Sequence, residues 1–551
     1  MTFKKYSTAI FAALLAGLVL TVYWQTTGFE FINLDDPEYT VRNPFVNGGL
    51  SIEGIHAAFT QFWGRYWIPV TWLSYMADVS VSGLSPEGFH RTNVILHGLN
   101  VLLLFFVLRN ATGSTVRSFF VAALWAIHPL RAESVAWVAE RKDVLSGFFF
   151  LLALLGHIEY ARTGKKLWLA AITVFALFGL MAKPVVMVLP VALLLMDFWP
   201  LGRFPEGRLK ENLPGYGKLL FEKAHLFALS AVFVLITLKS QKIDDALNSG
   251  LTNTAGAYVN FAAAVKAYCA YIFGTFWPVG LYLRGKEYEL TFGVPLTILC
   301  FAVLVLVSFL AFKHRKRFPE LAFGWFWYLL ILFPNSGIVR AGISTFSDRF
   351  TYLPHIGIMV AAVWGVERLY SRFAKDLRPL ATAGAGIIAI LSILCFRQVS
   401  IWKNDISLFT HADRVTGGKS AMAKEVLGVA WFLVGRYQES YDSFTVALEL
   451  DPGFAGGYGY KGLAAARLGR YAEASELCRK ELQLNPGNKE ITTRLAYILI
   501  RAGDLPGGAR LGLENIRRWP DDKVAWEAVN YLGGEAKARA LAQSGNSGAG
   551  P

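Results

Sequence analysis

Two adjacent carboxylates, Asp35 and Asp36, are the residues of this sequence best placed to do chemistry. They follow the apolar segment 9–23, where the chain is expected to leave a bilayer, and charged groups held at a membrane are costly unless they are used. Neighbouring like charges raise the proton affinity of one partner. A carboxylate in that state is suited to act as a general base toward an attacking hydroxyl. The alternative is that Asp36-Pro37 forms a turn at the end of the segment.

Cations that could bind a phosphate group occur in three further stretches: 128–143, Lys183-Pro184, and 340–354 with Arg340 at its start. Arginine and lysine stabilise phosphate oxygens, including those of a departing group. The structural alternatives are ion pairing along a helix, helix capping by Asp348-Arg349, and a snorkelling Lys183. The candidate substrate- and phosphate-binding residues are His128, Arg131, Glu133, Arg141, Lys142, Lys183, Asp348 and Arg349. No metal-ligand spacing is present, and a divalent ion on Asp35 and Asp36 is conceivable but unsupported.

Composition points to a polytopic membrane protein. Of the 551 residues, 54% are hydrophobic and 17% are charged, and 41 Phe, 22 Tyr and 16 Trp add much aromatic material. The net charge of +14 comes from short basic clusters between apolar segments, which is typical of the cytoplasmic face of a membrane protein. No nucleic-acid-reading motif accompanies these clusters, so nucleic acid is excluded as a partner. The four cysteines lie far apart and predict neither a disulfide framework nor a zinc site.

Eleven apolar segments are predicted to span the membrane, each of about 20 residues or somewhat fewer. They lie at 7–24, 91–108, 116–130, 144–161, 166–182, 184–199, 223–239, 292–312, 320–338, 351–369 and 380–397. The basic clusters then place the N-terminus in the cytoplasm. The loops 25–90, 131–143, 240–291 and 339–350 fall on the outer side, together with everything after the last span. The segment 261–283 is predicted to be a re-entrant or interfacial helix, because a full crossing would put the basic run 313–317 on the wrong side.

The C-terminal part carries a repeat of 34 residues. Gly-Arg-Tyr at 435–437 recurs at 469–471 and, as Gly-Asp-Leu, at 503–505. This is the period of tetratricopeptide repeats, in which two antiparallel helices meet near the glycine. Such arrays bind peptides or partner proteins and are rarely catalytic. The predicted organisation is therefore all-α: a membrane domain at 1–399, a soluble solenoid at 400–540 with three repeats and a partial one, and a disordered tail at 541–551.

Five motifs together resemble the transmembrane and tetratricopeptide-repeat-containing proteins, which are related to protein O-mannosyltransferases of the GT-C glycosyltransferase fold. They read LDDP, HPLRAESVAWVAERKDVLSG, WPVGL, FGWFWYLLILFPNSGIV and SDRFTYLPHIG, and the repeats follow them. The resemblance implies transfer of a sugar, mannose in the well-known members, from a polyprenyl-phosphate donor to an acceptor hydroxyl on the outer face of the membrane. It aligns Asp35 with the first acid of the family's acidic pair, so we expect Asp35 to be the base and Asp36 to support it. Direct displacement with inversion is also implied.

The predicted function is therefore that of a membrane glycosyltransferase acting on protein Ser or Thr. Two alternatives stay open: a non-catalytic membrane-anchored scaffold, and a glycosyltransferase of surface polysaccharide. The expected partners are the polyprenyl-linked donor, an acceptor protein or glycan engaged by the repeats, and membrane lipid. No cofactor is expected. The predicted location is the bacterial inner membrane, with the repeats in the periplasm.

Overall fold

The computed structural model describes residues 2–63, 66–205, 212–240, 254–283, 293–337, 346–454 and 456–544. The chain forms two compact units, Met1–Asn404 and Asp405–Pro551. Throughout the described ranges regular structure is helical, apart from one isolated bridge between Trp63 and Tyr66. The predicted all-α fold is therefore confirmed. Arg340, and much of the predicted loops 240–291 and 339–350, lie outside the described residues.

The first unit is built from long apolar helices joined by short helical turns. Its helices are α1 (Thr2–Tyr23), α2 (Asp36–Tyr39), α3 (Ile52–Thr60), α4 (Pro69–Ser82), α5 (Pro86–Thr112), α6 (Thr115–Ala126), α7 (Ala132–Ala136), α8 (Arg141–Thr163), α9 (Lys166–Ala182), α10 (Leu189–Phe198), α11 (Leu213–Phe221), α12 (Ala224–Ser240), α13 (Thr254–Phe276), α14 (Val294–Lys313), α15 (Pro319–Leu332), α16 (His355–Tyr370) and α17 (Arg378–Ser400).

Within the residues that the structure describes, six helices are long and apolar enough to cross a bilayer, or seven if the bent pair α11 and α12 forms one span. The six segments are Ser7–Gly28, Pro86–Thr112, Val138–Thr163, Tyr258–Phe276, Val294–Lys313 and Arg378–Lys403. Three shorter apolar helices accompany them. The chain is thus a membrane protein. Each of the eleven predicted spans coincides with a helix, and the count of eleven stays a prediction.

The predicted re-entrant segment corresponds to α13, which by length and hydropathy could also cross. It packs across the C-terminal end of α15, where the Tyr268 hydroxyl donates a 2.8 Å hydrogen bond to the Leu329 carbonyl. One turn later, the Tyr271 hydroxyl donates to the Ser347 carbonyl at 2.9 Å. The helix therefore fixes the stretch that leads into Asp348 and Arg349.

The stretch from Trp125 to Gly147 forms the centre of this unit. Every residue in it is buried, including all of its charged residues. The sequence predicts that 131–143 is a loop on the outer side; the structure shows the stretch to be buried and mostly helical, and its side of the membrane stays a prediction. Three short helical turns fold it inward: α7, flanked by the 3-10 helices Pro129–Arg131 and Val138–Glu140. Burial is tolerated because the charges pair with one another, as described below.

The second unit begins with α18 (Asp405–Val415) and continues as antiparallel helix pairs. The pairs are α19 (Ala421–Leu433) with α20 (Tyr437–Leu450), α21 (Gly457–Arg467) with α22 (Tyr471–Leu484), α23 (Lys489–Arg501) with α24 (Leu505–Arg518), and α25 (Lys523–Tyr531) with α26 (Glu535–Ser544). Gly435, Gly469 and Gly503 join the helices of the first three pairs with positive φ angles of 81°, 81° and 99°, which side chains disfavour. Residues 541–544 belong to α26, so the helical part extends further than the predicted boundary of the tail at 541, and the rest of that tail lies outside the described residues.

Candidate functional site

The two adjacent carboxylates have different environments. Asp36 is fully buried. Its Oδ2 accepts a 2.8 Å hydrogen bond from the backbone N–H of Ile32, and its Oδ1 accepts one of 2.8 Å from the backbone N–H of Ala139. Asp36 therefore ties the segment after the first helix to the turn that carries Glu140, and both carboxylate oxygens are occupied.

Asp35 is only half-buried and has no such role. It precedes the first turn of α2, yet its side chain caps no backbone N–H. Among the residues that the structure describes, its carboxylate forms no ion pair. It lies near Tyr39, since its charge helps to raise the pKa of that phenol. Of the two acids, Asp35 is the one whose oxygens are available for chemistry.

An ionic cluster lies next to this pair. We define it as Glu133, Glu140, Lys142, Asp143, Lys183 and Arg349. Glu140 is at its centre: its carboxylate lies 3.1 Å from Lys142 Nζ, 3.5 Å from Lys183 Nζ and 3.1 Å from Arg349 Nε. Lys183 Nζ also contacts Asp143 at 2.5 Å, and Arg349 Nη1 contacts Glu133. Three carboxylates and three cations thus balance one another in a nearly dry environment.

The most accessible cations of the cluster are Arg349 and Lys183, whose side chains are 14% and 13% exposed, whereas Glu140 is 1% exposed. Arg349 also faces the rings of Trp137 and Phe350, 5.3 and 5.2 Å from its guanidinium carbon. A ligand approaching from solvent or lipid would therefore meet the two cations before the central carboxylate. This arrangement suits an anionic group.

Lys142 connects the cluster to Asp35 through aromatic rings. Its ammonium lies 4.7 Å from the ring centre of Tyr39 and 5.5 Å from that of Tyr66, and it donates to the Tyr39 hydroxyl at 3.3 Å. Burial raises the pKa of Tyr39 well above its usual range, against the effect of Lys142. Tyr39 is therefore a neutral hydrogen-bond donor at physiological pH. Trp72 packs edge-on against its ring at 5.2 Å.

Glu133 and its ion-pair partner Arg349 both have shifted pKa values. Burial, aided by the carboxylates of Asp348 and Glu140, raises the pKa of Glu133 to about 7, although Arg349 opposes the shift. Burial alone would lower the pKa of Arg349, but Glu140 and Glu133 raise it above its usual range. Arg349 thus stays charged, while Glu133 changes its charge near neutral pH.

Arg141 lies apart from the cluster despite its neighbours in sequence. Its side chain is fully buried and points toward α4 and α5, where Nη2 contacts Asp78 Oδ2 and the Phe89 carbonyl, each at 2.7 Å. Nε donates to Asn93. Successive residues on a helix point about 100° apart, so Arg141 and Lys142 serve different partners. Arg141 holds α8 against α4 and α5.

His128 also lies apart from the cluster and is fully buried. Its Nδ1 accepts from the Leu130 N–H at 3.3 Å, and its Nε2 pairs with the Thr275 carbonyl at 3.0 Å. Because Nδ1 accepts a hydrogen bond and Nε2 faces a carbonyl oxygen, Nε2 carries the proton. His128 therefore anchors the end of α13 and has no free nitrogen for a ligand.

Arg131 and Asp348 flank the cluster. Arg131 is fully buried, and its Nη2 donates to Thr351, while Nε and Nη1 have no partner among the described residues. Burial lowers its pKa to about 10, which leaves it protonated at neutral pH. Asp348 is buried close to Glu133, whose pKa it helps to raise.

Sequence reasoning did not include Glu140, Asp143 and Tyr39 among the site residues. Glu140 and Asp143 are the counter-ions of the three cations, and a signal for them exists: ionisable residues at the start of an apolar helix are unusual unless they are paired or functional. No comparable sequence pattern pointed to Tyr39 as a site residue. No group of three or more His, Cys, Asp or Glu side chains that could hold a metal ion occurs in the part of the chain that the structure describes.

Comparison with known proteins identifies relatives. No family model matches the chain. Human protein O-mannosyl-transferase TMTC4 is 24% identical over 460 residues, which are 73% of this chain and 61% of the relative. The Caenorhabditis elegans protein O-mannosyl-transferase F38B6.6 is 23% identical over 456 residues, or 80% of this chain and 63% of the relative. The chain is thus similar to TMTC proteins over 73–80% of its length.

One relative matches a shorter region of this chain at higher sequence identity. Mouse protein O-mannosyl-transferase TMTC1 is 34% identical over 156 residues, which are 26% of this chain and 16% of that protein. The resemblance to the transmembrane and tetratricopeptide-repeat-containing family is thereby confirmed. The chain spans less than two thirds of the length of these relatives.

Proposed function

We propose that this TMTC-like chain is a membrane glycosyltransferase that moves mannose or another hexose from a polyprenyl-phosphate donor to the hydroxyl of a protein Ser or Thr. The observation that carries the proposal is the difference in bonding between the two aspartates. Asp36 is bound by two backbone N–H groups, and its neighbour Asp35, beside a cluster of cations, forms no ion pair with the residues that the structure describes. The names of the relatives support the sugar and the acceptor class.

Asp35 acts as the general base in this mechanism. The acceptor hydroxyl attacks the anomeric carbon, the new C–O bond forms as the bond to the phosphate oxygen breaks, and Asp35 takes the hydroxyl proton. The polyprenyl phosphate leaves with the bonding electron pair. Attack on the face opposite the leaving group gives inversion. The anomeric carbon becomes oxocarbenium-like, as in glycoside hydrolysis, so the Asp35 carboxylate also stabilises the developing positive charge.

Arg349 and Lys183 receive the phosphate. They are the most accessible cations of the cluster, and hydrogen bonds from charged donors strengthen as negative charge develops on the leaving oxygen. Because Glu133, Glu140 and Asp143 already neutralise these cations, the cluster is organised before the donor arrives. Arg141 and His128, which are engaged elsewhere, hold the surrounding helices in position.

The proposed reaction takes place on the outer face of the membrane. The basic segments predicted to be cytoplasmic would place Asp35 on the opposite side, where a bacterial inner membrane faces the periplasm. The helix pairs of the second unit would lie in the same compartment and engage the acceptor protein. No metal or other cofactor enters the proposed steps.

The test is transfer of labelled mannose in proteoliposomes that contain the full chain, undecaprenyl phosphate mannose and a Ser- and Thr-rich acceptor protein. The variants are Asp35→Asn and, as a control on the same helical turn, Glu38→Gln, since Glu38 is exposed and its ion pair within the described residues is with Arg42. Loss of transfer in Asp35→Asn with retention in Glu38→Gln supports the proposal.

Three other results would redirect the proposal. Product on a glycan instead of on protein would identify a surface-polysaccharide transferase. Transfer unchanged by Asp35→Asn would remove Asp35 as the base. No transfer by the unmodified chain with any donor, together with capture of a protein partner by the repeats, would favour a scaffold.

A further inference from the structure

Three arginines surround one aromatic ring at the place where the turn before α15 meets the end of α16. The ring belongs to Phe318, which directly precedes α15. The guanidinium carbon of Arg317 lies 5.2 Å from the centre of this ring, that of Arg368 lies 5.1 Å away and that of Arg372 lies 6.0 Å away. Arg368 is in the last turn of α16, and Arg372 follows that helix. We call these three cations, Arg317, Arg368 and Arg372, the arginine triad.

The positive charge of the arginine triad is only partly balanced. Arg368 forms an ion pair of 2.5 Å with the buried carboxylate of Glu320 and donates a 2.8 Å hydrogen bond to the Arg317 carbonyl. In the part of the chain that the structure describes, Arg317 and Arg372 form no ion pair, and both are exposed. One carboxylate therefore faces three guanidinium groups, and this excess of positive charge suits an anionic ligand.

The membrane topology explains the presence of these cations but not their convergence. Basic residues collect on the cytoplasmic side of membrane proteins, and this tendency accounts for the run 313–317. Within that run Arg315 has a different partner, because its guanidinium carbon lies 4.0 Å from the ring centre of Phe312 and Nη1 donates to the Phe312 carbonyl at 2.8 Å. The arginine triad instead gathers like charges around Phe318, and an anion bound there would offset their repulsion.

The arginine triad lies next to an apolar helix. A short turn joins α14 to Phe318, in which the Phe318 N–H donates to the His314 carbonyl at 2.9 Å. On α14 the side chains of Leu306, Phe309 and Leu310 are exposed. This helix is one of those long and apolar enough to cross a bilayer. Basic pockets at the cytoplasmic ends of such helices bind the headgroups of anionic lipids.

We propose that the arginine triad binds the phosphate of an anionic phospholipid, and that the acyl chains of this lipid lie along α14. The bound phosphate would join the start of α15 to the end of α16. The segment that carries Arg349 connects the opposite ends of these two helices. The lipid would therefore stabilise the helix pair from the end remote from the ionic cluster, and its binding does not depend on the proposed transfer reaction.

The experiment is photo-crosslinking of phosphatidylglycerol that carries a diazirine in the upper part of one acyl chain. The full chain is reconstituted in phosphatidylcholine with a small fraction of this probe and without any sugar donor, and the labelled peptides are mapped and quantified. We expect labels on α14 and on the turn 313–318. Unlabelled phosphatidylglycerol should remove them, whereas added phosphatidylcholine or glycerol 3-phosphate should not.

Arg372→Gln is compared with Arg315→Gln, since each removes one positive charge and only Arg372 contacts Phe318. We expect Arg372→Gln to lower the labelling about fivefold, the double variant Arg317→Gln, Arg372→Gln to lower it by about tenfold or more, and Arg315→Gln to change it little. Arg368 is kept, because its loss would leave the buried Glu320 without its cation. Arg317→Gln replaces Arg372→Gln if that variant does not fold.

A thermal measurement accompanies the labelling. Phosphatidylglycerol should raise the melting temperature of the unmodified chain and of Arg315→Gln more than that of the double variant, because a ligand stabilises the state that binds it. Four outcomes would overturn the inference: equal labelling of Arg372→Gln and Arg315→Gln, labels only on other helices, labels removed as well by phosphatidylcholine or glycerol 3-phosphate, or equal gains in melting temperature for the double variant and the control.

Discussion

The backbone N–H of Ala139 donates a 2.8 Å hydrogen bond to Oδ1 of Asp36, and this bond joins two parts of the chain 103 positions apart. It links the segment after the first span to the turn that carries Glu140. Because Asp36 is fully buried, the bond is sheltered from water and its loss would leave a buried donor without a partner. The same contact gives two chemically identical neighbours different environments.

Asp36→Asn should mainly destabilise the protein. Asparagine has one amide oxygen where aspartate has two acceptors, so either Ile32 N–H or Ala139 N–H would face an NH₂ group. We expect a loss of about 1–3 kcal/mol in the free energy of unfolding. Asp35→Asn should leave stability nearly unchanged and lower transfer by about 10²–10⁴-fold. Thermal unfolding in detergent and the mannose-transfer assay measure the two effects, and equal melting temperatures for the two variants would contradict the assignment.

The presence of the acidic pair could be predicted from sequence, because two carboxylates at the end of an apolar segment are unusual. Which of them is bound by backbone N–H groups could not, since that depends on the contact with Ala139, far along the chain. The same limit applies to Arg141 and Lys142. Both were candidate phosphate ligands, and only their different directions on α8 separate them.

The fold was more predictable than the site. The 34-residue period reflects local packing within each helix pair, and the described pairs follow it. The stretch 131–143 was harder, because its charges favour an exposed loop unless their partners are known. Lys183 and Arg349 provide those partners from distant positions, and they allow the stretch to be buried.

Arg141→Met should strongly destabilise the first unit. It would leave Asp78, which is 10% exposed, as a buried carboxylate whose remaining side-chain contact is Thr92 Oγ1 at 2.6 Å. Removing one partner of a buried ion pair costs about 3–5 kcal/mol. The control is Arg42→Met, which breaks the exposed pair with Glu38 and should cost at most about 1 kcal/mol. Thermal unfolding measures both, and the double variant Arg141→Met, Asp78→Leu should recover part of the loss.

Donor binding should strengthen as the pH falls through about 7, because the pKa of Glu133 lies there. Below that pH Glu133 is protonated and no longer competes for Arg349, whereas the phosphodiester of the donor keeps its charge. We expect the KM for the donor to fall between pH 8 and about pH 6. Glu133→Gln should give a low KM that changes little over this range.

The titration of Glu133 should also make the stability of the protein depend on pH. A carboxyl whose folded pKa is raised contributes stability that is present below its ordinary pKa and is lost as the pH rises through about 7. The melting temperature of the unmodified chain should therefore decline more than that of Glu133→Gln as the pH rises from about 4.5 to about 7. A KM that rises on acidification, or parallel melting curves, would show that Glu133 does not titrate beside Arg349.

Gly324→Ala should separate α15 from α16. A Cβ at Gly324 would lie 2.3 Å from the Gly357 carbonyl oxygen and 2.7 Å from Ala361 Cβ, and a backbone atom cannot move aside as a flexible side chain can. The helices would have to shift, at a cost of about 1–3 kcal/mol. The matched control is Gly386→Ala on α17, where a Cβ meets no atom within 4 Å and the helix should gain slightly. A melting temperature equal to that of Gly386→Ala would show that the two helices do not pack this closely.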